Sequence, residues 1–486
     1  MAKRVLVGSA LLVTRSFAIK FIGLLSTLVL ARVLAPQDFG LVALATLALS
    51  FLEVFSRTGS AQYVLRASSV DDQLVNSAWT LDMVLKLAAS ALLALSSGSI
   101  SGYYAEPKVI PILLALSGMM AFETLRNPGL WLLEREQEFG RIVTLSIASK
   151  VFAATVGVTI AILFKSYWAL VIGQVINSVC QVLGSYVAHA YRPRICTTGI
   201  RRQLRFSGWL VPQALLGYGR TQLDTFLVSS AFGNAQLGSF TTMKYLAFLP
   251  GAHILLPATH PLLAELAQSK SNSSHFRLQH NLSLLVTLAL AMTLSLSLAG
   301  TAQPLIKFVL GEQWVPYHRL FLWFALLLPA YAAFHHATRT LLVFGQTNVA
   351  LFYELFAALF IFVPVLTLGV EDLERFTSLR VRLELVASFL FLLATTLRFT
   401  GVVNTLKLLM LSLPVVMGAG VAFLATQPIP DTLPTFVYLI AFGATFSSAY
   451  ALWLVALALL MRRTRECVYL LARGKAFGDM LRRRFR

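Results

Sequence analysis

The chain has 486 residues, of which 57% are hydrophobic and only 13% are charged. A soluble domain carries roughly 25% charged residues, so this composition excludes a water-soluble globular protein. The formal net charge is +19, and the three cysteines lie far apart, which excludes a disulfide framework and a zinc pattern. Apolar segments of helical length follow one another along the chain, and a bilayer core needs about 20 such residues per helix. We therefore predict an all-α polytopic membrane protein.

About fourteen transmembrane helices are predicted. The first is expected to be an uncleaved span, because Arg15 and Lys20 interrupt what would otherwise resemble a signal peptide. The predicted spans are residues 7–34, 37–64, 76–100, 109–133, 141–164, 167–190, 205–231, 235–264, 278–300, 316–343, 347–370, 378–399, 404–426 and 434–461. Loops on the side of the two termini carry roughly 24 Lys and Arg residues against roughly seven on the other side, which predicts that both termini are cytoplasmic.

A short internal repeat indicates how these helices are organised. Residues 30–41 align with residues 228–239, so that Gly40 falls on Gly238, and in both copies a long helix ends, turns and re-enters. The repeat predicts an N-terminal six-helix bundle at 1–195, a C-terminal six-helix bundle at 196–400, two additional transmembrane helices at 401–461 and a basic cytoplasmic tail at 462–486. Transporters built from such repeats hold their substrate between the repeats, near the bilayer midplane.

Charged residues occur deep inside many of the predicted spans. A charge facing lipid at mid-depth costs about 3 kcal/mol on the insertion scale, so these side chains are expected to face a hydrated cavity or one another. Three oppositely charged pairs have the i, i+4 spacing that brings side chains together on one helix face, namely Glu53/Arg57, Asp82/Lys86 and Arg220/Asp224. For the first two pairs, mutual neutralisation is an equally good explanation.

These charges define the predicted site. Cations predicted to bind substrate are Arg15, Lys20, Arg57, Arg220 and Arg339. Residues predicted to balance charge or to bind a coupling ion are Glu53, Asp82, Lys86 and Asp224. Guanidinium groups match phosphate oxygens and lysine adds a point charge, so the expected ligand is a phosphate or pyrophosphate headgroup. The Pro and Gly residues at 212–219 either loosen the helix before Arg220 to form an anion site or simply kink it.

No catalytic or metal-binding motif competes with this interpretation. The sequence contains no P-loop, no GxSxG and no paired-aspartate motif, which excludes ATP-driven transport by this chain and argues against an enzyme. His335 and His336 lack acidic partners at metal-ligand spacing, so structural roles are expected. No cofactor is predicted, and coupling to Na⁺ or H⁺ is left open. The positive-inside bias accounts for the basic residues, so no nucleic-acid partner is expected.

Two segments resemble a known family. Residues 31–45, ARVLAPQDFGLVALA, resemble the first-hairpin signature of the oligosaccharide flippases of bacterial polysaccharide biosynthesis. Residues 132–139, LLEREQEF, are similar to a second segment of that family, although Glu134 stands where glutamine is usual. Further similar positions are Phe55, Ser56, Gly59 and Arg66. The resemblance extends over most of the chain in its layout, and in sequence it reaches to about the end of the second segment.

The resemblance implies a fold and a function. The family belongs to the multidrug, oligosaccharidyl-lipid and polysaccharide exporter superfamily, in which two six-helix bundles surround a central cavity. It implies an inner-membrane flippase that moves undecaprenyl-diphosphate-linked oligosaccharide by alternating access, for exopolysaccharide, capsule or O-antigen synthesis. A polysaccharide polymerase and a glycosyltransferase, the latter through the C-terminal segment 466–486, are the expected partners. Four cations map onto the family's positively charged cavity by helix location: Arg15, Lys20, Arg57 and Arg220.

Two other functions fit a multi-spanning chain less well. A cation-coupled multidrug exporter of the same fold would favour an acidic and aromatic cavity, whereas the spans here are rich in basic residues. A membrane polysaccharide polymerase or ligase would present a large extracytoplasmic loop with catalytic Arg or His, and no predicted loop is long enough.

Overall fold

The computed structural model describes residues 2–56, 59–67, 69–208, 210–367, 372–430, 432–461, 464, 466, 468 and 469. Every regular element within these ranges is a helix, and eleven helical segments there are long and apolar enough to cross a membrane. The chain is therefore an all-α, multi-pass membrane protein, which confirms the predicted fold class. It forms two compact units, residues 1–241 and 242–486. The lobe limits expected from the sequence stay a prediction.

Unit 1 contains the first ten helices and the start of the eleventh. They are α1 (Ala2–Val33), α2 (Pro36–Phe55), α3 (Ser60–Arg66), α4 (Asp72–Tyr104), α5 (Val109–Glu123), α6 (Gly129–Arg135), α7 (Phe139–Phe164), α8 (Trp168–Ala188), α9 (Ile200–Ser207), α10 (Leu210–Ala231) and α11 (Asn234–Pro250). Helix α7 packs against both α1 and α8, while α5 packs against α2, α4 and α8.

Unit 2 begins within α11, which continues through a π-helical turn, Gly251–Leu255, into α12. Its helices are α12 (Leu256–Gln268), α13 (Ser273–Gly300), α14 (Ala302–Leu310), α15 (His318–Ala325), α16 (Leu328–Val343), α17 (Thr347–Thr367), α18 (Leu373–Thr400), α19 (Val402–Leu424) and α20 (Thr435–Leu460). Helix α13 packs against α16 and α19, and α16 packs against α18, so these four helices enclose the apolar centre of the unit.

Three of the fourteen predicted spans are not among the eleven membrane-crossing candidates in the described part of the chain. Span 109–133 is divided into α5 and α6, span 205–231 corresponds to α10 preceded by α9, and span 235–264 is α11, the π-helical turn and α12. Helices occupy all three places, but each is short, broken or rich in polar residues. The number of crossings therefore stays a prediction.

A buried asparagine holds the break between α5 and α6. Asn127 is 1% exposed, and its side-chain amide donates hydrogen bonds to the carbonyl oxygens of His189 (3.1 Å) and Tyr191 (2.8 Å). Its side-chain oxygen accepts from the backbone N–H of Gly129 at 2.9 Å. Because backbone groups freed by a helix break need partners inside a membrane protein, Asn127 makes this interruption stable.

The start of α2 explains part of the first-hairpin signature. Pro36 is the first residue of the helix, where a missing N–H costs nothing. The carboxylate of Asp38 in the first turn accepts a hydrogen bond from the backbone N–H of the N-cap residue Ala35 at 3.0 Å and places a negative charge at the helix N-terminus. The chain can therefore turn sharply after α1 and re-enter as α2.

Gly40 of α2 and Gly238 of α11 pack against one another without room for side chains. A Cβ at Gly40 would overlap the backbone of Asn234, and a Cβ at Gly238 would overlap the backbone of Pro36 and of Gly40. The predicted repeat aligns Gly40 with Gly238 and Pro36 with Asn234, so the two copies meet in a reciprocal contact. Small residues allow such close approach of helices in membranes.

We expect Gly40→Ala and Gly238→Ala each to destabilise the protein by about 1–3 kcal/mol, because the added methyl group meets main chain that cannot rotate away. The measurement is the melting temperature of the purified protein in detergent. Gly98→Ala in α4 is the matched control, since nothing lies within 4 Å of a Cβ there. Equal melting temperatures for the Gly40→Ala and Gly98→Ala proteins would contradict the packing described here.

Within unit 2, an ion pair connects the segment after α20 to helix α19. Lys407 of α19 donates to both carboxylate oxygens of Glu466, at 2.6 and 2.8 Å, and Asn281 of α13 donates to the same carboxylate at 3.1 Å. Asn281 and Asn404 exchange two further hydrogen bonds. Burial of the Glu466 carboxyl opposes its ionisation, but the hydrogen bonds from Lys407 and Asn281 outweigh burial and hold the pKa of Glu466 below its usual range. Most of the predicted basic tail lies outside the described residues.

The depressed pKa of Glu466 predicts a pH dependence. A carboxyl whose pKa is lower in the folded than in the unfolded state stabilises the fold above its unfolded pKa, and this contribution disappears as pH falls through the folded pKa. Glu466→Gln should therefore lower the melting temperature at pH 7, by the equivalent of about 1 kcal/mol because Lys407 is partly solvated. This difference should narrow as the pH falls through the depressed pKa of Glu466, where the wild-type carboxyl loses its charge as well. A deficit of Glu466→Gln that does not change as the pH is lowered would argue against the ion pair.

Candidate functional site

A cavity of about 840 Å³ lies within unit 1, lined by residues of or next to α2, α3, α4, α5, α6 and α10. Its charged lining residues are Glu53, Arg66, Asp82, Lys86, Glu123 and Arg126. Two tryptophans, Trp79 and Trp131, and several hydroxyl and amide side chains complete the wall. A cavity of this size and polarity inside a multi-pass membrane protein has room for a substantial polar ligand.

The break between α2 and α3 forms one wall. Gly59 precedes α3 with φ of 65°, a left-handed conformation that glycine adopts without steric cost. The hydroxyl of Ser60 then donates to the carbonyl oxygen of Ala78 in α4 at 3.0 Å, and the amide of Gln203 in α9 donates to the Ser60 hydroxyl at 2.7 Å. These bonds fix the start of α3 against its neighbours. The family-like positions Ser56 and Gly59 thus shape the cavity.

Arg135 holds the other end of α3. Its guanidinium donates to the carbonyl oxygens of Val64 at 3.0 Å and Ala67 at 2.7 Å. These are carbonyl groups at the C-terminus of a helix, where a positive charge is favourable. From the sequence, Arg135 was counted only as a cytoplasmic charge. Its place within the family-like segment 132–139 was the signal that could have identified it as a positioning residue.

Charged side chains in the cavity are paired. Lys86 and Asp82 form an ion pair of 2.9 Å between Nζ and Oδ2, as their i, i+4 spacing indicated. Arg126 and Glu123 lie 3.7 Å apart, across the end of α5. Among the described lining residues, acidic and basic side chains are equal in number. The described lining is therefore balanced in charge, and the cationic interior expected from the sequence stays a prediction, because the side chains of Arg57 and Arg220 lie outside the described residues.

The structure describes the predicted cations to different extents. Arg15 of α1 is half-buried, and its Nε is a buried atom with no hydrogen-bond partner among the described residues. Lys20 of α1 is exposed. Arg57 lies outside the described residues, and Arg220 belongs to α10 with a side chain that is likewise outside the description. Arg339 lies in unit 2, where its guanidinium donates to the carbonyl (3.0 Å) and hydroxyl (2.8 Å) of Thr259.

Of the charge-balancing residues, Glu53, Asp82 and Lys86 come together around the cavity. Asp224 of α10 is completely buried, and its carboxylate accepts hydrogen bonds from the backbone N–H and hydroxyl of Thr225. One further cation borders α1: Lys150 of α7 passes beside Gly23, at which a Cβ would stand 3.7 Å from the lysine Cε.

The histidines of unit 2 form a buried polar cluster. His280 of α13 and His336 of α16 lie 3.3 Å apart, between Nδ1 of the first and Nε2 of the second. Their remaining ring nitrogens are 3.2 and 3.3 Å from the hydroxyls of Thr396 and Ser283, respectively. Within the part of the chain that the structure describes, no three His, Cys, Asp or Glu side chains are close enough to hold a metal ion.

Residues 29–319 match the family model described as polysaccharide biosynthesis protein, which is more than half of the chain. The chain belongs to this polysaccharide biosynthesis protein family. The resemblance of residues 31–45 and 132–139 is thereby confirmed.

Two curated relatives are similar to this family member. It is 22% identical to the lipopolysaccharide biosynthesis protein WzxC of Escherichia coli (strain K12), over 60% of this chain and 60% of WzxC. It is also 22% identical to the succinoglycan biosynthesis transport protein ExoT of Rhizobium meliloti (strain 1021), over 63% of this chain and 62% of ExoT. Both matches span less than two thirds of the relatives' own length.

Solved structures establish what fold this family member has. The lipid II flippase MurJ in an inward closed conformation superposes with a TM-score of 0.73 at 14% identity, covering 92% of this chain and 98% of MurJ. An inward-facing MATE family multidrug resistance transporter of the MOP superfamily superposes with a TM-score of 0.59 at 12% identity, covering 79% and 94%. At these identities the likeness concerns the fold alone.

Removal of the Arg135 side chain should loosen α3. Arg135→Gln is expected to accelerate amide hydrogen exchange in residues 60–67 at least about tenfold, because hydrogen bonds from a charged donor contribute roughly 1.5–3 kcal/mol. Hydrogen exchange followed by mass spectrometry measures this. Arg141→Gln is the control, since Arg141 donates to the carbonyl oxygen of Ala188 at the end of α8, at 3.1 Å, in an exposed position. Equal protection of residues 60–67 in both variants would refute the positioning role.

Proposed function

We propose that this protein is a flippase that moves an undecaprenyl-diphosphate-linked oligosaccharide across the bacterial inner membrane for polysaccharide biosynthesis, by alternating access. The observation that carries the proposal is a large charged cavity inside a multi-pass member of the polysaccharide biosynthesis protein family. The names of WzxC and ExoT, and the fold shared with a lipid II flippase, support it. The proposal includes fourteen crossings with both termini in the cytoplasm.

The free-energy cost of moving a polar headgroup through hydrocarbon explains why a flippase needs such a cavity. A polar headgroup that crosses hydrocarbon unaided loses its hydration, and each unsatisfied polar group costs several kcal/mol. A cavity lined by charged, hydroxyl and amide side chains replaces water around the headgroup while the isoprenoid chain remains in lipid. Charges within membrane-spanning helices are costly to retain, so their concentration around one space indicates a functional role.

In this proposal the diphosphate is bound by the cations Arg15, Lys20, Arg57, Arg220 and Arg339. Arg15 is suited to this because its buried Nε lacks a partner among the described residues. Glu53, Asp82, Lys86 and Asp224 would hold these cations in place or bind Na⁺ or H⁺ when the substrate is absent. Polysaccharide polymerases and glycosyltransferases would be the functional partners. A cation-coupled multidrug exporter is the alternative, and family membership favours polysaccharide over drugs.

Loss of single cations tests the proposal. Arg15→Ala and Lys20→Ala should each reduce polymer export about tenfold or more, since one charge-assisted contact to phosphate is equivalent to roughly 1.5–3 kcal/mol. The measurement is polymer yield, with quantification of the lipid-linked oligosaccharide that accumulates, in cells whose only copy is the variant. Lys108→Ala is a matched control, because Lys108 is exposed at the start of α5 outside the cavity. Wild-type polymer from both variants, at normal protein level in the membrane, would count against the proposal.

A further inference from the structure

We infer that the cavity of unit 1 binds the sugar part of the substrate, and that the diphosphate is bound elsewhere. This inference rests on the proposed function and divides the substrate between two places. It follows from the charges of the described lining, its aromatic side chains, the volume of the cavity and the hydrogen bonds that hold its wall.

The charges that line the cavity favour the sugar over the diphosphate of the substrate. A diphosphate is a compact anion and is stabilised by a site with excess positive charge. In the described lining of the cavity, the carboxylates of Glu53, Asp82 and Glu123 offset the three basic side chains. Toward these described side chains, an anion gains little net attraction and meets repulsion from the carboxylates.

The same lining suits a neutral polyhydroxyl ligand. Each sugar hydroxyl both donates and accepts hydrogen bonds, so a sugar needs acceptors and donors side by side. The Asp82–Lys86 pair of α4 and the Glu123–Arg126 pair at the end of α5 both line the cavity and provide this alternation of acceptors and donors. Hydrogen bonds to ionised groups are stronger than those between neutral groups, which favours hydroxyl recognition.

Trp131 supplies the apolar surface that a sugar ring also requires. It lines the cavity from α6 and is half-buried, so part of its indole is available to a ligand. Trp79, in contrast, is 8% exposed and its Nε1–H donates to the carbonyl oxygen of Thr124 at 3.1 Å, so it fixes the wall. An indole presents a broad apolar face at small entropic cost, and the C–H face of a sugar ring can pack on it.

Volume and rigidity agree with a sugar ligand. A cavity of about 840 Å³ lies toward the upper end of the range for small-molecule sites, roughly 300–1,000 Å³, and far exceeds what a diphosphate occupies. The wall is fixed by Ser60, Asn127 and Arg135 through bonds to neighbouring helices. A preformed site loses less conformational entropy on binding, which matters for a ligand that gains only weak contacts per hydroxyl.

The experiment compares two probes on the purified full chain in nanodiscs. One probe is undecaprenyl diphosphate, and the other is the lipid-linked oligosaccharide pool extracted from cells that lack this protein. Trp131→Ala and, as a second variant that keeps the packing, Glu123→Gln should each weaken binding of the sugar-bearing lipid about fivefold. Binding of undecaprenyl diphosphate should change less than twofold. Trp131→Phe should retain most of the affinity, since it keeps an aromatic face.

Lys20→Ala and Trp168→Ala are the controls. Lys20→Ala should weaken both probes, because both carry the diphosphate, and Trp168→Ala should weaken neither, because Trp168 stacks on Tyr167 at the start of α8, away from the cavity lining. Equal losses for both probes in the Trp131 and Glu123 variants, or no loss for either, would overturn the sugar assignment. Failure of the wild type to bind either probe would instead overturn the proposed function.

Discussion

The cost of polar groups in a hydrocarbon environment is the constraint on which this structure depends. A helix may break inside the membrane only where other groups satisfy the freed backbone. Unit 1 breaks twice around its cavity, after α2 and after α5, and each break is closed by specific contacts. Gly59 supplies the backbone conformation at the first, and Asn127 supplies the hydrogen bonds at the second. The cavity is thus formed where two helices are interrupted and specific contacts stabilise the interruptions.

The two units meet this constraint in different ways. In unit 2 the polar groups described above are engaged locally: Arg339 with Thr259, His280 with His336, and Lys407 with Glu466. In unit 1 charged side chains surround an open volume instead. A ligand can compete more readily for groups that border a cavity than for groups bonded to one another between helices, which is why the proposed sugar site lies in unit 1.

The sequence predicted those features that depend on local periodicity. Long apolar segments identified the multi-pass helical fold, and the spacing of Asp82 and Lys86 identified their ion pair. It did not predict the break in span 109–133, because Asn127 is held by His189 and Tyr191, which are distant in the chain. For the same reason the sequence did not predict which charged residues line the cavity together in the described part of the chain, since that arrangement arises when α2, α3, α4 and α5 pack together.

The reciprocal contact between Gly40 and Gly238 limits how this protein can evolve. In an ordinary core, a substitution to a larger side chain can be compensated by a second substitution to a smaller neighbouring side chain, because mutation can change both side chains. Here each glycine faces main chain, namely the carbonyls of Asn234 and Pro36, and no substitution makes a peptide unit smaller. A second substitution therefore cannot compensate for a larger residue at Gly40 or at Gly238, and both glycines must be retained.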